Sequence, residues 1–235
     1  MNRVSGRNGL KKETKGSLRA SFLLNKQIHP ETSVKGLSPD DQKKDTGKRK
    51  NMPSEFAHKK FGALVYKKLP DDIKRIIAEN KNEYLIALHG PDPYYFCLPS
   101  DHDRMVPVAQ RHHQRAFAHM QKRAFSVIKN ISDGPELSYY YGMICHFVLD
   151  TFCHPLVDKA IAETGLTHGK IEMEFERYLL DLNGKNALAY PSYAHLPIDK
   201  KTAVTAARFY EDSSAEDFYK CMVMMKSMLL MVTLI

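Results

Sequence analysis

GMICHFVLDTFCHP, residues 142–155, carries the densest chemistry in the chain. His146 and Asp150 stand four apart in it, so on a helix they point to the same side and can grip one ion. His154 is four further on and continues that face, with Pro155 marking its end. THGKIEMEFE, residues 167–176, repeats the pattern with His168 and Glu172. A lone HxxxD is most often an ion pair or a capped polar contact. Two separate helices that each offer an imidazole and a carboxylate are harder to dismiss, because Ile144, Phe147, Val148 and Leu149 surround the first pair and buried polar groups require partners. Imidazole with carboxylate suits zinc better than calcium, which wants oxygen ligands throughout.

Working outward from that phrase, the chain reads as a series of helices. Residues 52–69 predict one with Phe56, Phe61, Leu64 and Val65 on its apolar face, a start near Pro53 and Ser54, and a stop at Pro70. A second spans about 71–88 on Ile73, Ile76, Ile77 and Leu85, ended by His89-Gly90-Pro91-Asp92-Pro93. Residues 96–108 read as a loop. Helices follow over 110–131, 135–153 and 168–182. The stretch 183–200 is irregular, and a last helix begins near Ser213 or Ser214, where Glu216 completes a cap if Ser213 leads it. Neither valine-rich alternation nor a strand, glycine and helix phosphate loop occurs. An all-α, compact multi-helix domain over residues 52–235 is expected.

The net charge of +8 sits at one end. Residues 1–50 hold 13 Lys and Arg against 5 Asp and Glu, leaving 22 against 22 in the rest. Residues 1–51 therefore read as a disordered basic tail on a neutral body, so the overall charge says little about the body's working surface. If Met52 is the original start, that charge drops out of every partner argument. The beginning has basic residues without a continuous apolar run, so no secretory leader is expected. Cys97, Cys145, Cys153 and Cys221 lack CxxC spacing, which favours unpaired thiols and a cytoplasmic setting. The methionine-rich end, with Met222, Met224, Met225, Met228 and Met231, is interrupted by Lys226 and reads first as a core helix, with peripheral membrane contact as the sharper alternative.

AHKKFG at 57–62, LHGPDP at 88–93, QRHHQ at 110–114, GMICHFVLDTFCHP and HGKIE at 168–172 together resemble, in order and residue type, the zinc-dependent phospholipase C family. The fungal single-strand zinc nucleases are more distant relatives. The resemblance runs from Met52 to about Tyr219. It implies a helical domain holding up to three zinc ions at the base of a cleft. Carried over, it implies Asp92, His113, His146 and Asp150 as ligands of one zinc, and His154, His168 and Glu172 of a second. His58 with Asp150 resembles part of a third site, Asp150 then bridging two ions. His113 is taken over His112 because the family's ligand stands at the second of these positions. The secreted members complete the third site with an N-terminal tryptophan, and this chain has no Trp. Two or three ions are therefore expected, and the spacing from Asp150 to His154 is tighter than in the secreted enzymes.

The resemblance also makes Asp92 the candidate general base of a metal-assisted hydrolysis that needs no serine or cysteine nucleophile. The expected partner is a phosphate ester, phospholipid first, with nucleic acid or a small phosphodiester as the runner-up; no protein partner is inferred. A zinc-stabilised binding or structural domain without catalysis is the reading from a different class. Tyr94, Tyr95 and Phe96 suit base stacking, acyl contact or plain core packing alike. His29 and His195 read as ordinary surface, and His89, His102, His112 and His119 as neighbours of the cleft that could orient its ligands. Cys145 and Cys153 read as small core residues.

Overall fold

A computed structural model describes residues 55–130 and 133–233; the basic tail assigned to 1–51 and its boundary at 52 lie outside the described residues. Every regular element among the described residues is helical. The first helix, α1, runs Glu55–Lys68 and stops before Pro70, whose ring cannot continue it. Residues 71–88 do not form one helix. Asn80 divides them into α2, Asp71–Glu79, and α3, Lys81–Ala87. At φ −128° and ψ 51°, Asn80 leaves the helical region while its side-chain amide donates to the Ile76 carbonyl at 3.0 Å. Its own carbonyl accepts from Ser138 Oγ at 2.7 Å. Asparagine competes with the helix for its own backbone in this way, which an apolar period does not register.

The segment expected as a loop is largely ordered into turns. Asp92–Phe96 and Pro99–Asp101 form 3-10 turns, and α4, His102–Gln114, begins at 102 rather than 110. Pro107 lies inside it and forfeits the bond to the Asp103 carbonyl, a loss confined to the first turns. Arg115 and Ala116 then extend at ψ 142° and 149°, so α5, Phe117–Val127, is separate from α4.

The largest departure is α6, Gly134–Thr164, which passes straight through Pro155 instead of ending near 153. It ends at Gly165, whose φ of 68° supplies the left-handed turn and whose amide donates to the Ile161 carbonyl at 2.8 Å. The next helix, α7, covers His168–Leu182, the span predicted for it. Within 183–200 lies a 3-10 turn, Ser192–His195, and then α8, Lys200–Ala207, follows with Asp199 accepting from the Thr202 amide at 2.7 Å. In α9, Ala215–Thr233, Ser214 leads rather than Ser213. The Asp217 amide donates to Ser214 Oγ at 3.1 Å, and the Ser214 amide donates to the Asp217 carboxylate at 3.0 Å. The reciprocal cap is thus closed by Asp217 in place of Glu216.

The main core gathers Phe96, Met105, Val108, Tyr139, Phe209 and Phe218 around the buried face of α9. Met222 and Met225 are almost wholly enclosed there, so the methionine-rich run is a core helix, and no helix among the described residues is long and apolar enough to cross a membrane. Buried phenols find partners: Tyr139 and Tyr210 share a hydrogen bond at 2.8 Å, and Tyr94 donates to Ser213 at 2.6 Å. The four cysteines form no disulfide.

Helix α3 packs along α6, and Gly142 permits the approach. A Cβ there would lie 2.6 Å from both the Tyr84 carbonyl oxygen and the Ala87 Cβ. Gly142→Ala is therefore expected to destabilise the domain by about 1–3 kcal/mol through overpacking, read as a lowered midpoint in thermal or urea denaturation.

Candidate metal centre

Four elements converge on the middle of α6. That helix supplies His146, Asp150 and His154; α1 supplies His58; the turn Asp92–Phe96 supplies Asp92; α4 supplies His113; and α7 supplies His168 and Glu172. Gly90 holds the Asp92 turn against His146. Its φ is +48°, and a Cβ on it would fall 2.3 Å from the His146 ring. Only glycine accepts both the left-handed backbone and that proximity.

Asp150 lies at the junction. Its Oδ1 is 3.4 Å from His58 Nε2, and its Oδ2 is 3.2 Å from His146 Nε2 and 3.7 Å from His113 Nε2. His113 Nε2 is also 3.1 Å from Asp92 Oδ1. Across the cavity, His168 Nε2 stands 2.9 Å from Glu172 Oε1, and the His154 and His168 rings are 5.5 Å apart. Three groups have donor atoms all within 4.8 Å of one another: His58, His146 and Asp150; Asp92, His113 and His146; His154, His168 and Glu172. Donors held about 2.0–2.1 Å from a tetrahedral zinc stand about 3.3 Å apart. The separations on this site are of that size, so the groups fit an ion without large rearrangement.

Seven of the eight residues singled out in the sequence line one cavity of about 130 Å³, together with Tyr95. His146 opens into an adjoining cavity of about 280 Å³ that shares His113, Asp150 and His154.

Burial sets the proton inventory. It is the main cause that pulls His58 down to about 3 and His146 well below the usual imidazole range, so both rings are neutral and ready to donate lone pairs. Burial pushes Asp92 up to about 7, against the stabilising hydrogen bond from His113. For His113, burial works downward, but the bond to Asp92 and the Asp92 and Asp150 charges prevail and raise it to about 9. His168 is raised by its bond to Glu172.

Other histidines divide clearly. His195 is not ordinary surface: its Nε2 lies 2.7 Å from His89 Nε2, and the fully buried His89 ring is 6.0 Å from that of His58. The 3-10 turn that folds residue 195 inward is a tertiary feature with no period in the sequence. His112 packs edge-on to Tyr210, while His102 and His119 face solvent, away from both cavities. Tyr94 and Phe96 are core, whereas Tyr95 stacks on His113 with centroids 5.6 Å apart. Glu55, which sequence reading passed over, is buried at the start of α1; its one signal was an acid one helical turn ahead of His58.

The chain matches the family model described as zinc dependent phospholipase C over residues 57–231. The match starts after Met52 and runs past Tyr219 through most of α9, consistent with that helix closing the core. No curated relative and no solved structure matches the chain.

Zinc binding should release protons in a pattern set by these groups. At pH 8, His113, with its value near 9, is protonated in the metal-free protein, and Asp92 is ionised. Zinc takes a neutral imidazole, so His113 gives up about one proton. Below about pH 7 Asp92 adds to the release, and above about 9 the His113 contribution fades. Indicator-dye titration should find about one proton fewer at pH 8 in His113→Ala; equal release by both proteins would place the proton elsewhere.

Proposed function

Because the chain belongs to the zinc-dependent phospholipase C family, we propose that it is a zinc-dependent phosphodiesterase that releases the head group of phospholipids. The observation that carries this reading is the character of the larger cavity. It shares His113, His146, Asp150 and His154 with the metal centre, yet Pro91, Met120, Met143, Phe147 and Pro155 line it. On the same helix, Phe152 and Leu156 stand one turn apart with 73% and 66% of their surface exposed. An apolar wall next to a polar cluster suits an ester that carries both a phosphate and a hydrocarbon part. With Tyr94 and Phe96 in the core, Tyr95 is the one ring of the trio left at the site, which disfavours a stacking platform for nucleobases.

Asp92, His113 and His146 with Asp150 would hold one zinc, and His154, His168 and Glu172 a second. Bound zinc would supply Lewis-acid polarisation of the phosphoryl oxygens and activation of water. Asp92 is the candidate to take the proton: it is buried beside His113, 3.1 Å away, and zinc bound at the centre would keep it ionised and able to accept one. Arg115 lines the larger cavity, where one guanidinium nitrogen meets Glu211 at 3.0 Å and further donors remain for a phosphate.

Zinc-loaded protein is expected to release phosphorylated head group from phosphatidylcholine vesicles, and Asp92→Asn to lower kcat by about 10²- to 10⁴-fold. Parallel assays with single-stranded DNA and bis-p-nitrophenyl phosphate separate the alternatives. Cleavage of DNA with lipid untouched would make it a nuclease. No turnover of any ester, with the fold melting on chelation, would make the zinc structural.

A further inference from the structure

The larger cavity holds a cation that the donor groups do not use. Seven of the eight donor residues line the smaller cavity, and Arg115 is absent from that lining. It lines the larger cavity instead, with Met143, Phe147 and Tyr210. An ester whose phosphorus lies among the donors therefore meets Arg115 with a different part of itself. In a phospholipid a second anionic group can sit only on the head group, because diacylglycerol carries none.

Two contacts place the residue. His113 on α4 lies 3.7 Å from Asp150, and Phe117 at the start of α5 packs on Phe147 with ring centroids 4.9 Å apart. Arg115 stands between them in the extended link, which thus crosses α6 near residues 147–150. Asp158, the other charged side chain of the lining outside the donor groups, is eight residues beyond Asp150 on α6, about 12 Å along the axis. Among the described residues, the acid within 4 Å of Arg115 is Glu211, whose Oε2 accepts from Nη1 at 3.0 Å. Glu211 is the more exposed partner, 46% against 29%, so water screens its charge and it serves as a brace. The guanidinium fork keeps further donors, and its geometry matches the paired oxygens of a phosphate or carboxylate. The aromatic wall does not suit a choline group. Tyr210 is 2% exposed, stacked on Phe218 and met edge-on by Tyr94 and His112. That leaves Phe147, and a quaternary ammonium is held by a cage of several rings.

We propose that Arg115 is a specificity-determining residue that binds an oxyanion, phosphate or carboxylate, on the head group of the substrate. Anionic phospholipids are then cleaved in preference to choline lipids. This rests on the reading of the chain as a phospholipid hydrolase.

The test uses zinc-loaded full-length protein and monomeric dihexanoyl lipids, which remove the effect of vesicle charge. Wild type is expected to show kcat/KM about 10- to 100-fold higher for phosphatidylinositol phosphate or phosphatidylserine than for phosphatidylcholine. Whichever anionic lipid leads tells phosphate from carboxylate. Arg115→Gln should bring the ratio close to one with zinc per chain unchanged, and Arg115→Lys should restore part of it. The same ratio in wild type and Arg115→Gln, or no preference in wild type, overturns the assignment and leaves the phospholipase reading intact. Turnover of none of the three lipids removes both. Should Arg115→Gln fail to fold, product inhibition of wild type decides: stronger inhibition by inositol bisphosphate or phosphoserine than by phosphocholine supports the assignment, and equal inhibition by all three overturns it.

Discussion

The carboxylate of Asp150 is the constraint on which the rest of the centre depends. Its two oxygens face in different directions, one to His58 on α1 and the other to His146 on its own helix and His113 on α4. No other side chain of the cluster meets three imidazoles. The long helix that carries it must therefore be straight enough to hold His146, Asp150 and His154 on one face, and long enough for α7 to dock beside it. Continuity through Pro155 serves this. The ring removes one backbone bond, to the Thr151 carbonyl, and nine further helical residues continue the ladder beyond it.

Burial and charge then act in opposite directions on the two kinds of ligand. Desolvation neutralises the imidazoles of His58 and His146, which suits them to a metal, and it also pushes protons onto Asp92 and Glu55. In the metal-free protein His113, raised to about 9, remains a cation beside Asp92. A divalent ion reverses each of these preferences at once: the carboxylates ionise, His113 loses its proton, and the neutral rings supply lone pairs. Such a site is costly without its ion, because the groups that would bind it cannot all be charged in so little water.

Local periodicity explains what was legible in the sequence. His146 with Asp150 and His168 with Glu172 are contacts within single helices, so spacing alone places each pair on one face. His58, Asp92 and His113 come from three other elements, and nothing local joins them; only the resemblance did. The helix boundaries misread were those set by tertiary partners or tolerated prolines. Asn80 breaks a helix because Ser138 takes its carbonyl, and Pro107 and Pro155 sit inside helices that run on through them. His195 looked like surface because its burial is made by a turn against His89 rather than by any repeating face.

The same helix that carries His146, Asp150 and His154 also carries an exposed apolar pair. On α6, His154 faces the cluster while Phe152 and Leu156 lie on a different side and project into solvent. Exposed aromatic and aliphatic side chains one turn apart cost solubility unless something covers them. A lipid surface would cover them and, because they share a rigid rod with His154 and Asp150, would fix the distance from that surface to the metal centre. The two apolar residues are thus a local feature of the helix that carries His146, Asp150 and His154, whereas all of the chain's excess charge lies in residues 1–50, outside the described structure.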